Sequence, residues 1–537
     1  MSHFDIKRID QRPMQEALLS RNKFHILGLD TDTLIRYFFS GNAWVAIIVL
    51  GLITYSLFRE GAGFFPQHWE GLKTYRLAGL EFVDIIRDQS EAQAGLVKYL
   101  DKVRVDRAAE LKKSGASGEE VAQKLQALEQ VRNDLDAAGI PLQEFVQQMT
   151  QQAAGVKDRW TEARDNAISR DQLLKAGMAE EAKAIAVEKI DFGREASALT
   201  ARIPQYHEIS RTMAARLADI SGHLPQVQDP VVAREIRHLQ KALENFTTGF
   251  PDVEKRLQDW RYDRPVSAYE SLTKFIFGTQ WITQSFWQDW YGFVPLFMGS
   301  LTISVVALVI SVPLGIGAAV YINQVASARE QTLIKPAIEF IAVIPSVVLG
   351  FFGVVILGEF LRQASGWSWL AWVPGFPFPE RLNILTAGIL LALMAVPSIF
   401  TFSEDALNNV PKAFKEASFA LGANRLQTIV RIIIPASLSG IISAVLLGFG
   451  RVIGETMVVL LCAGNRIQIP DFAAGLAVVA QPVHTMTGLV AQEIPEVVKG
   501  SLQYRALFML SIMLFLISLL INYIAQIFVR KFKISVG

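Results

Sequence analysis

The stretch EASFALGANRLQTIVRIIIP, residues 416–435, is a polar connection between two long apolar runs. Ala417 is small enough to let two helices approach closely, and Gly422 permits a sharp reversal of the chain. Isoleucines after the glycine give the second arm an apolar side. This spacing predicts a compact helix–turn–helix unit that fits a groove of another protein. The alternative is an ordinary loop that carries one amphipathic helix.

Six apolar runs set the fold class. The chain has 537 residues, of which 51% are hydrophobic, and a formal net charge of +1. About 20 apolar residues in a helix cross a hydrocarbon layer about 30 Å thick, and backbone groups inside lipid must be paired within the segment. We therefore predict an all-α polytopic membrane protein with six transmembrane helices. The predicted spans are residues 37–58, 294–322, 337–358, 382–402, 438–464 and 506–529.

The distribution of lysine and arginine predicts the orientation. Basic residues concentrate in segment 1–36, after the second span, after the fourth span and in the tail, and six spans place all four on one side. Because such loops stay in the cytoplasm, we expect both termini of this multi-pass protein to be cytoplasmic. The first span, 37–58, lacks a cleavage site and is predicted to be a retained signal anchor. The basic residues are Lys7, Arg8, Arg12, Arg21, Lys23, Arg36, Arg329, Lys335, Lys412, Lys415, Arg425, Arg431, Arg530, Lys531 and Lys533.

Residues 59–291 form a long polar insertion between the first two spans, which this topology places outside the cytoplasm. Ser117 with Glu120 fits a capping box at a helix start, whereas Gly139 followed by Pro141 predicts a helix stop and a new start. The composition favours a bundle or coiled-coil hairpin of long helices, without β structure. Apolar residues recur at helical spacing at Val121, Leu125, Leu128, Val131 and Leu135.

Arg451 and Glu455 are charged residues inside the predicted fifth span. Placing a charged side chain within a membrane costs several kcal/mol even on lenient scales, so this pair is expected to have a functional or structural role. Four residues apart on a helix, the two side chains would share a face. The arginine fork matches a tetrahedral oxyanion, and the glutamate would neutralise it when no anion is bound. The alternative is a purely structural ion pair that ties two helices together.

Several motifs resemble those of the phosphate-specific (Pst) permeases, the paired membrane subunits of a bacterial ABC importer. GRVIGETM at 450–457 resembles their G-R-A-x-G-E-T segment, and residues 416–435 resemble the EAA loop, E-A-A-x3-G-x9-I-x-L-P, with departures at Ser418 and Ile434. The Thr-Met ending and the following Gly464-Asn465 favour the PstC-type subunit. KPAIE at 335–339, IPSVV at 344–348 and FGTQW at 277–281 are also similar to family elements.

This resemblance implies a type I importer permease whose core, residues 292–537, has five spans and a coupling loop at 407–435. It also implies a second homologous permease subunit, a cytoplasmic ABC ATPase dimer and an extracytoplasmic phosphate-binding protein. The segment 72–268 departs from the compact family pattern and has no implied role. The residues implied to contact the ATPase are Glu416, Ala417, Gly422 and Pro435, and those implied to line the substrate path are Arg451, Glu455 and Thr456.

Absent motifs narrow the role further. No G-x4-G-K-S/T occurs, so we predict a transporter subunit rather than an enzyme, with ATP hydrolysis in a partner. The seven histidines are dispersed and do not have the spacing of metal ligands, and Cys462 is predicted to be a packing residue. We expect no cofactor and no bound nucleic acid. Import of phosphonate, sulfate or molybdate is one alternative. A membrane-anchored helical receptor or scaffold is the other.

Overall fold

The computed structural model describes residues 25–26, 29–113, 115–225, 230–285, 287–370, 372–373 and 375–532. Two strands, β1 (His25–Ile26) and β2 (Leu29–Asp30), pair antiparallel ahead of the first long helix. Some of the basic residues used to predict the orientation lie outside the described residues, namely Lys7, Arg8, Arg12, Arg21, Lys23 and Lys533.

Helices make up nearly all the regular structure of the described residues. Those ahead of the second span are α1 (Thr31–Ala62), α2 (Phe64–Leu77), α3 (Leu80–Lys113), α4 (Gly118–Lys175), α5 (Ala179–Ala184), α6 (Phe192–Thr200), α7 (Ile203–Gly222), α8 (Pro230–Thr248), α9 (Phe250–Asp259) and α10 (Ala268–Ile276). Those that follow are α11 (Val294–Val320), α12 (Ala328–Ile341), α13 (Ser346–Phe352), α14 (Gly358–Ser365), α15 (Ile384–Asn408), α16 (Lys412–Ala420), α17 (Arg425–Thr428), α18 (Ile434–Ile453), α19 (Met457–Cys462), α20 (Met486–Glu493) and α21 (Leu502–Phe532).

Among the residues that the structure describes, three π-helical turns lengthen or join helices of the second part, and six helical stretches are long and apolar enough to cross a membrane. This confirms the prediction of an all-α protein with six spans. The π turns are Tyr321–Val325, Gly353–Leu357 and Ile429–Ile433. The spans are Phe38–Leu77, Val294–Val325, Ser346–Ser365, Ile384–Asn408, Arg425–Ile453 and Leu502–Phe528.

The third span lies further along the chain than residues 337–358, the range predicted for it. Helix α12 ends at Ile341, and the chain turns before Pro345 begins the spanning stretch Ser346–Ser365. A capping box between Ser327 and Glu330 starts α12, which buries none of its residues. The apolar residues at the end of this amphipathic helix were therefore assigned wrongly to the membrane helix that follows it.

The fifth span ends earlier in the chain than predicted. Helix α18 ends at Ile453, Gly454 is its C-cap, and the chain restarts as the short helix α19. Residues 438–464 are therefore not one continuous helix. The cause is visible in the sequence, because the glycine at 454 and the polar pair Glu455 and Thr456 interrupt the apolar run where a helix end is easily formed.

The insertion is built on a helical hairpin, α3 followed by α4, with α7 and α8 packed against it. Ser117 caps α4 through the predicted box with Glu120. The predicted stop near Gly139 is wrong, because α4 runs unbroken for 58 residues with Pro141 inside it. A Cβ on Gly139 would lie 2.3 Å from the Gln93 side chain, whose amide donates to the Leu135 carbonyl at 2.6 Å. Close packing of α3 on α4 therefore holds the helix together across the proline.

The base of the insertion is continuous with the membrane helices. Strands β3 (Trp281–Ile282) and β4 (Trp290–Tyr291) pair antiparallel there, so the expectation of no β structure is wrong. Aromatic and β-branched residues favour strands, which accounts for the pair. Phe64, Phe275 and Leu507 share one buried cluster, which joins the insertion to the start of the sixth span. The insertion therefore attaches where the second and sixth spans begin.

Candidate functional site

We call residues 412–428 the knob. Its first arm is α16, its second arm is α17, and Gly422 between them has a φ of +80°. Gly422 N donates to Phe419 O at 2.9 Å, and Ala423 N donates to Ser418 O at 3.1 Å, which is the paired bonding of a Schellman turn. Asn424 then caps the second arm through a reciprocal box with Gln427. A glycine stop directly followed by a new cap reverses the chain within a few residues.

A buried hydroxyl pair clamps the two arms of the knob together. Ser418 Oγ lies 2.9 Å from Thr428 Oγ1, and both side chains are buried. Ser418 is one of the two departures from the EAA pattern, and here it gains a partner that alanine would lack. Phe414, Ala417 and Leu421 form the apolar part of a hollow of about 470 Å³, which Gln427 and Arg431 also line. Leu421 is 89% exposed.

The knob is bonded to the end of the second span. Lys415 Nζ donates to Gln324 Oε1 at 3.2 Å, and Arg425 donates to the Gln324 carbonyl. The π turn Ile429–Ile433 leads from the knob into α18, and its two terminal isoleucines are buried with Ile322 of the second span. The knob, Gln324 and α18 therefore form one packed unit at the end of the spans opposite the insertion.

All four residues implied to contact an ATPase are exposed, and three of them lie on the knob. Glu416, Ala417 and Gly422 all lie on the knob surface. Pro435 is exposed as well, but it lies in the first turn of α18, beyond the π turn. The structure thus brings the first three together and sets Pro435 apart at the entry to the membrane helix.

Arg451 and Glu455 do not form the pair predicted from their spacing. Arg451 lies in the last turn of α18, is exposed, and donates from Nη1 to Ser398 Oγ at 2.6 Å. Glu455 lies beyond the helix end, where its Oε1 accepts a bond from Met457 N at 3.1 Å. Because the helix stops at Ile453, the two side chains do not share a helix face, and no ion pair joins them among the described residues. Thr456 occupies the N-cap position of α19.

Four buried hydroxyl residues surround the break at Glu455, and the sequence analysis did not select them. We call Ser300, Ser304, Thr485 and Thr487 the hydroxyl cluster; together with Glu455 they line one small cavity. Ser300 and Ser304 are polar residues four apart in an apolar run, a signal that was present in the sequence. Thr485 is the N-cap of α20 and Thr487 lies in the first turn of that helix, and neither carries a local signal in the sequence.

Known proteins match the part of the chain that contains the knob and the break at Glu455. Residues 311–534 match the family model "Binding-protein-dependent transport system inner membrane component". A phosphate transport system permease protein PstC of Mesorhizobium japonicum is 30% identical over 283 residues, which are 50% of this chain and 83% of that protein. The probable ABC transporter permease protein YqgH of Bacillus subtilis is 32% identical over 44% of this chain and 72% of its own length. The chain belongs to the PstC-type permeases of this family.

As a PstC-type permease, the protein is a multi-pass inner-membrane subunit of an ABC importer and is not itself an enzyme. A PstC of Haemophilus influenzae matches 51% of this chain and 87% of its own length at 28% identity. The family model spans the knob, Arg451 and Glu455, whereas Ser300 and Ser304 lie ahead of its first matched residue. An inward-facing structure of the MetNI methionine ABC transporter aligns at 18% identity, over 44% of this chain and 93% of the matched chain, with a TM-score of 0.32.

Proposed function

We propose that this PstC-type permease moves inorganic phosphate into the cytoplasm, driven by a separate cytoplasmic ATPase. Relatives from several bacteria that match its membrane half are phosphate transport permeases by name. Other tetrahedral oxyanions remain the alternative substrates.

The observation that carries the proposal is the position of Arg451. It lies in the last turn of a broken membrane helix, directly before Val452 and Ile453, which line the cavity of the hydroxyl cluster. Its guanidinium gives one bond to Ser398 and keeps further donors for an anion. A planar fork with several donors matches the oxygens of phosphate better than a point charge does. We assign the substrate path to Arg451, Glu455 and Thr456, all of which lie at this break.

The knob is the proposed coupling element. Its exposed apolar face, with Glu416, Ala417 and Gly422, suits a groove on the ATPase, and Pro435 lies where the force enters α18. Apolar side chains near the centre of an interface provide much of its binding energy. Because the knob is bonded to Gln324, a pull on it acts on the second span as well as the fifth.

The proposed topology places the knob and both termini in the cytoplasm and the insertion, residues 59–291, on the opposite face. The knob and the insertion base lie at opposite ends of the second span, which supports this arrangement. We divide the chain into segment 1–36, the first span at 37–58, the insertion, and the permease core at 292–537. The proposed partners are a second homologous permease subunit, an ATPase dimer and an extracytoplasmic phosphate-binding protein.

ATP-driven uptake of labelled phosphate by the reconstituted complex tests this proposal. Arg451→Ala should abolish uptake while the complex still assembles, because the anion loses its main charged donor. Arg466→Ala is the matched control and should leave uptake intact, since Arg466 lies in the loop after α19 and its side chain is paired with Glu380. Normal uptake by the Arg451 variant would rule out the pathway role. Stronger competition by sulfate, molybdate or a phosphonate than by unlabelled phosphate would identify a different substrate.

A further inference from the structure

The segment Val483–Thr487 is wedged between the second span and the break at Glu455. Gly299 of the second span touches it so closely that a Cβ there would lie 2.1 Å from His484 O. The next residue of that span, Ser300, accepts a hydrogen bond from Met486 N at 3.0 Å. The wedge is thus fastened to the second span through contacts with its backbone.

The other side of the wedge is fastened to the break itself. Thr487 Oγ1 donates to Glu455 O at 2.8 Å, and both Thr487 and Thr485 are buried. Thr485 Oγ1 accepts from Gly488 N at 3.1 Å, which caps α20 and fixes the direction of the wedge. A hydroxyl has a single hydrogen to donate, so the donor of Thr487 is committed to the Glu455 carbonyl.

These contacts connect the knob to the substrate path along one element. The second span carries Gln324, bonded to the knob, near its far end and Ser300, bonded to the wedge, near its start. A helix transmits axial displacement because its backbone bonds are internal. Displacement of the second span would therefore reach Glu455 through Ser300, Met486 and Thr487.

We propose that Thr487 is a positioning residue that couples the second span to the break carrying Arg451 and Glu455. It holds the Glu455 backbone and makes no contact with substrate in this role. The proposal rests on the proposed function as an ATP-driven phosphate importer. Loss of the hydrogen bond from Thr487 would lower the number of phosphates moved per ATP hydrolysed. Without that bond, the residues around Glu455 would not follow the second span when the ATPase acts.

The test measures phosphate transported per ATP hydrolysed by the full complex in liposomes. Thr487→Val, which keeps the shape and removes the donor, should lower the ratio at least about fivefold, the equivalent of losing one buried hydrogen bond of about 1 kcal/mol. Thr487→Ser should restore it, which a purely structural defect would not. Thr302→Val is the matched control in the second span, since within the described part of the chain the Thr302 hydroxyl bonds only to Met298 O of its own helix.

A wild-type ratio in Thr487→Val would overturn the proposal, as would failure of Thr487→Ser to recover. Should Thr487→Val not assemble, Ser300→Ala decides: a lowered ratio supports the coupling, and a wild-type ratio overturns it. Failure of the proposed function is distinguishable, because the wild-type complex would then hydrolyse ATP without moving phosphate.

Discussion

Gly422 offers the sharpest test of the knob as a docking element. Its φ of +80° lies in the left-handed region, and a Cβ built on it meets no atom within 4 Å. Substitution by alanine therefore adds backbone strain without a clash in this chain. The strain of one non-glycine residue in this conformation is about 1–2 kcal/mol. Asparagine tolerates the same conformation better than alanine does.

The size of the effect of Gly422→Ala depends on the interactions that hold the two arms of the knob together. The clamp between Ser418 and Thr428 is one buried hydrogen bond, worth about 1 kcal/mol. A strain of similar size is enough to open the angle between the arms in part of the population. If only the closed knob fits the ATPase, Gly422→Ala weakens binding by up to about 30-fold, the equivalent of 2 kcal/mol. Gly422→Asn should weaken it less.

Affinity of the purified ATPase for the permease in nanodiscs measures this effect. Gly177 provides a matched control, because it also follows a helix with a φ of +80°, has open space around it and forms the same pair of backbone bonds. Gly177→Ala lies in the insertion and should leave ATPase affinity unchanged. Equal affinity of Gly422→Ala and wild type would refute the docking role. A larger loss with asparagine than with alanine would refute the strain argument.

Two further predictions concern the insertion. Trp260 Nε1 lies 3.2 Å from Glu81 Oε2, so the two ends of the segment between them lie close together. Replacing residues 83–258 by a short glycine–serine linker should therefore leave the membrane part folded and the ATPase activity of the complex responsive to phosphate. Loss of assembly would contradict this. Burial acts to raise the pKa of Glu81, but the hydrogen bonds and positive charge of Arg76, the charge of Lys274 and the hydrogen bond from Trp260 together outweigh it and hold that pKa below its usual 4.5. The stabilisation by Glu81 is therefore present above about pH 4.5 and lost as the pH falls through the lowered folded pKa. Thermal unfolding of Glu81→Gln should be less acid-sensitive than that of wild type, and identical pH profiles would contradict the assignment.

The parts that the sequence predicted well are those governed by local rules. Ser117 with Glu120, and Gly422 between two helical arms, are signals contained within a few residues, and both form the expected structures. The six spans follow from run length alone. The local rule predicts wrongly that the helix breaks near Pro141, because tertiary packing that involves Gln93 and Leu135 outweighs the local preference.

The charged residues at the break stand out in the sequence, but their geometry could not be predicted from it. The spacing of Arg451 and Glu455 gives a shared face only if the helix continues, and Gly454 ends it. The hydroxyl cluster escaped detection because Ser300 and Thr487 are far apart in sequence and meet only through the fold. Isolated serines and threonines are common, so nothing local marks them as members of one cavity.

The π turn at Ile429–Ile433 means that the orientation of the knob depends on a residue count. Such a turn holds one residue more than an α-helical turn. Removing a single residue, such as the exposed Val430, would restore regular winding and rotate the knob about 100° around the axis of α18, with a shift of about 1.5 Å. The knob would keep its sequence and its fold but face the wrong way. Between Gly422 and Pro435 the chain therefore tolerates substitution at exposed positions far better than it tolerates a change of length.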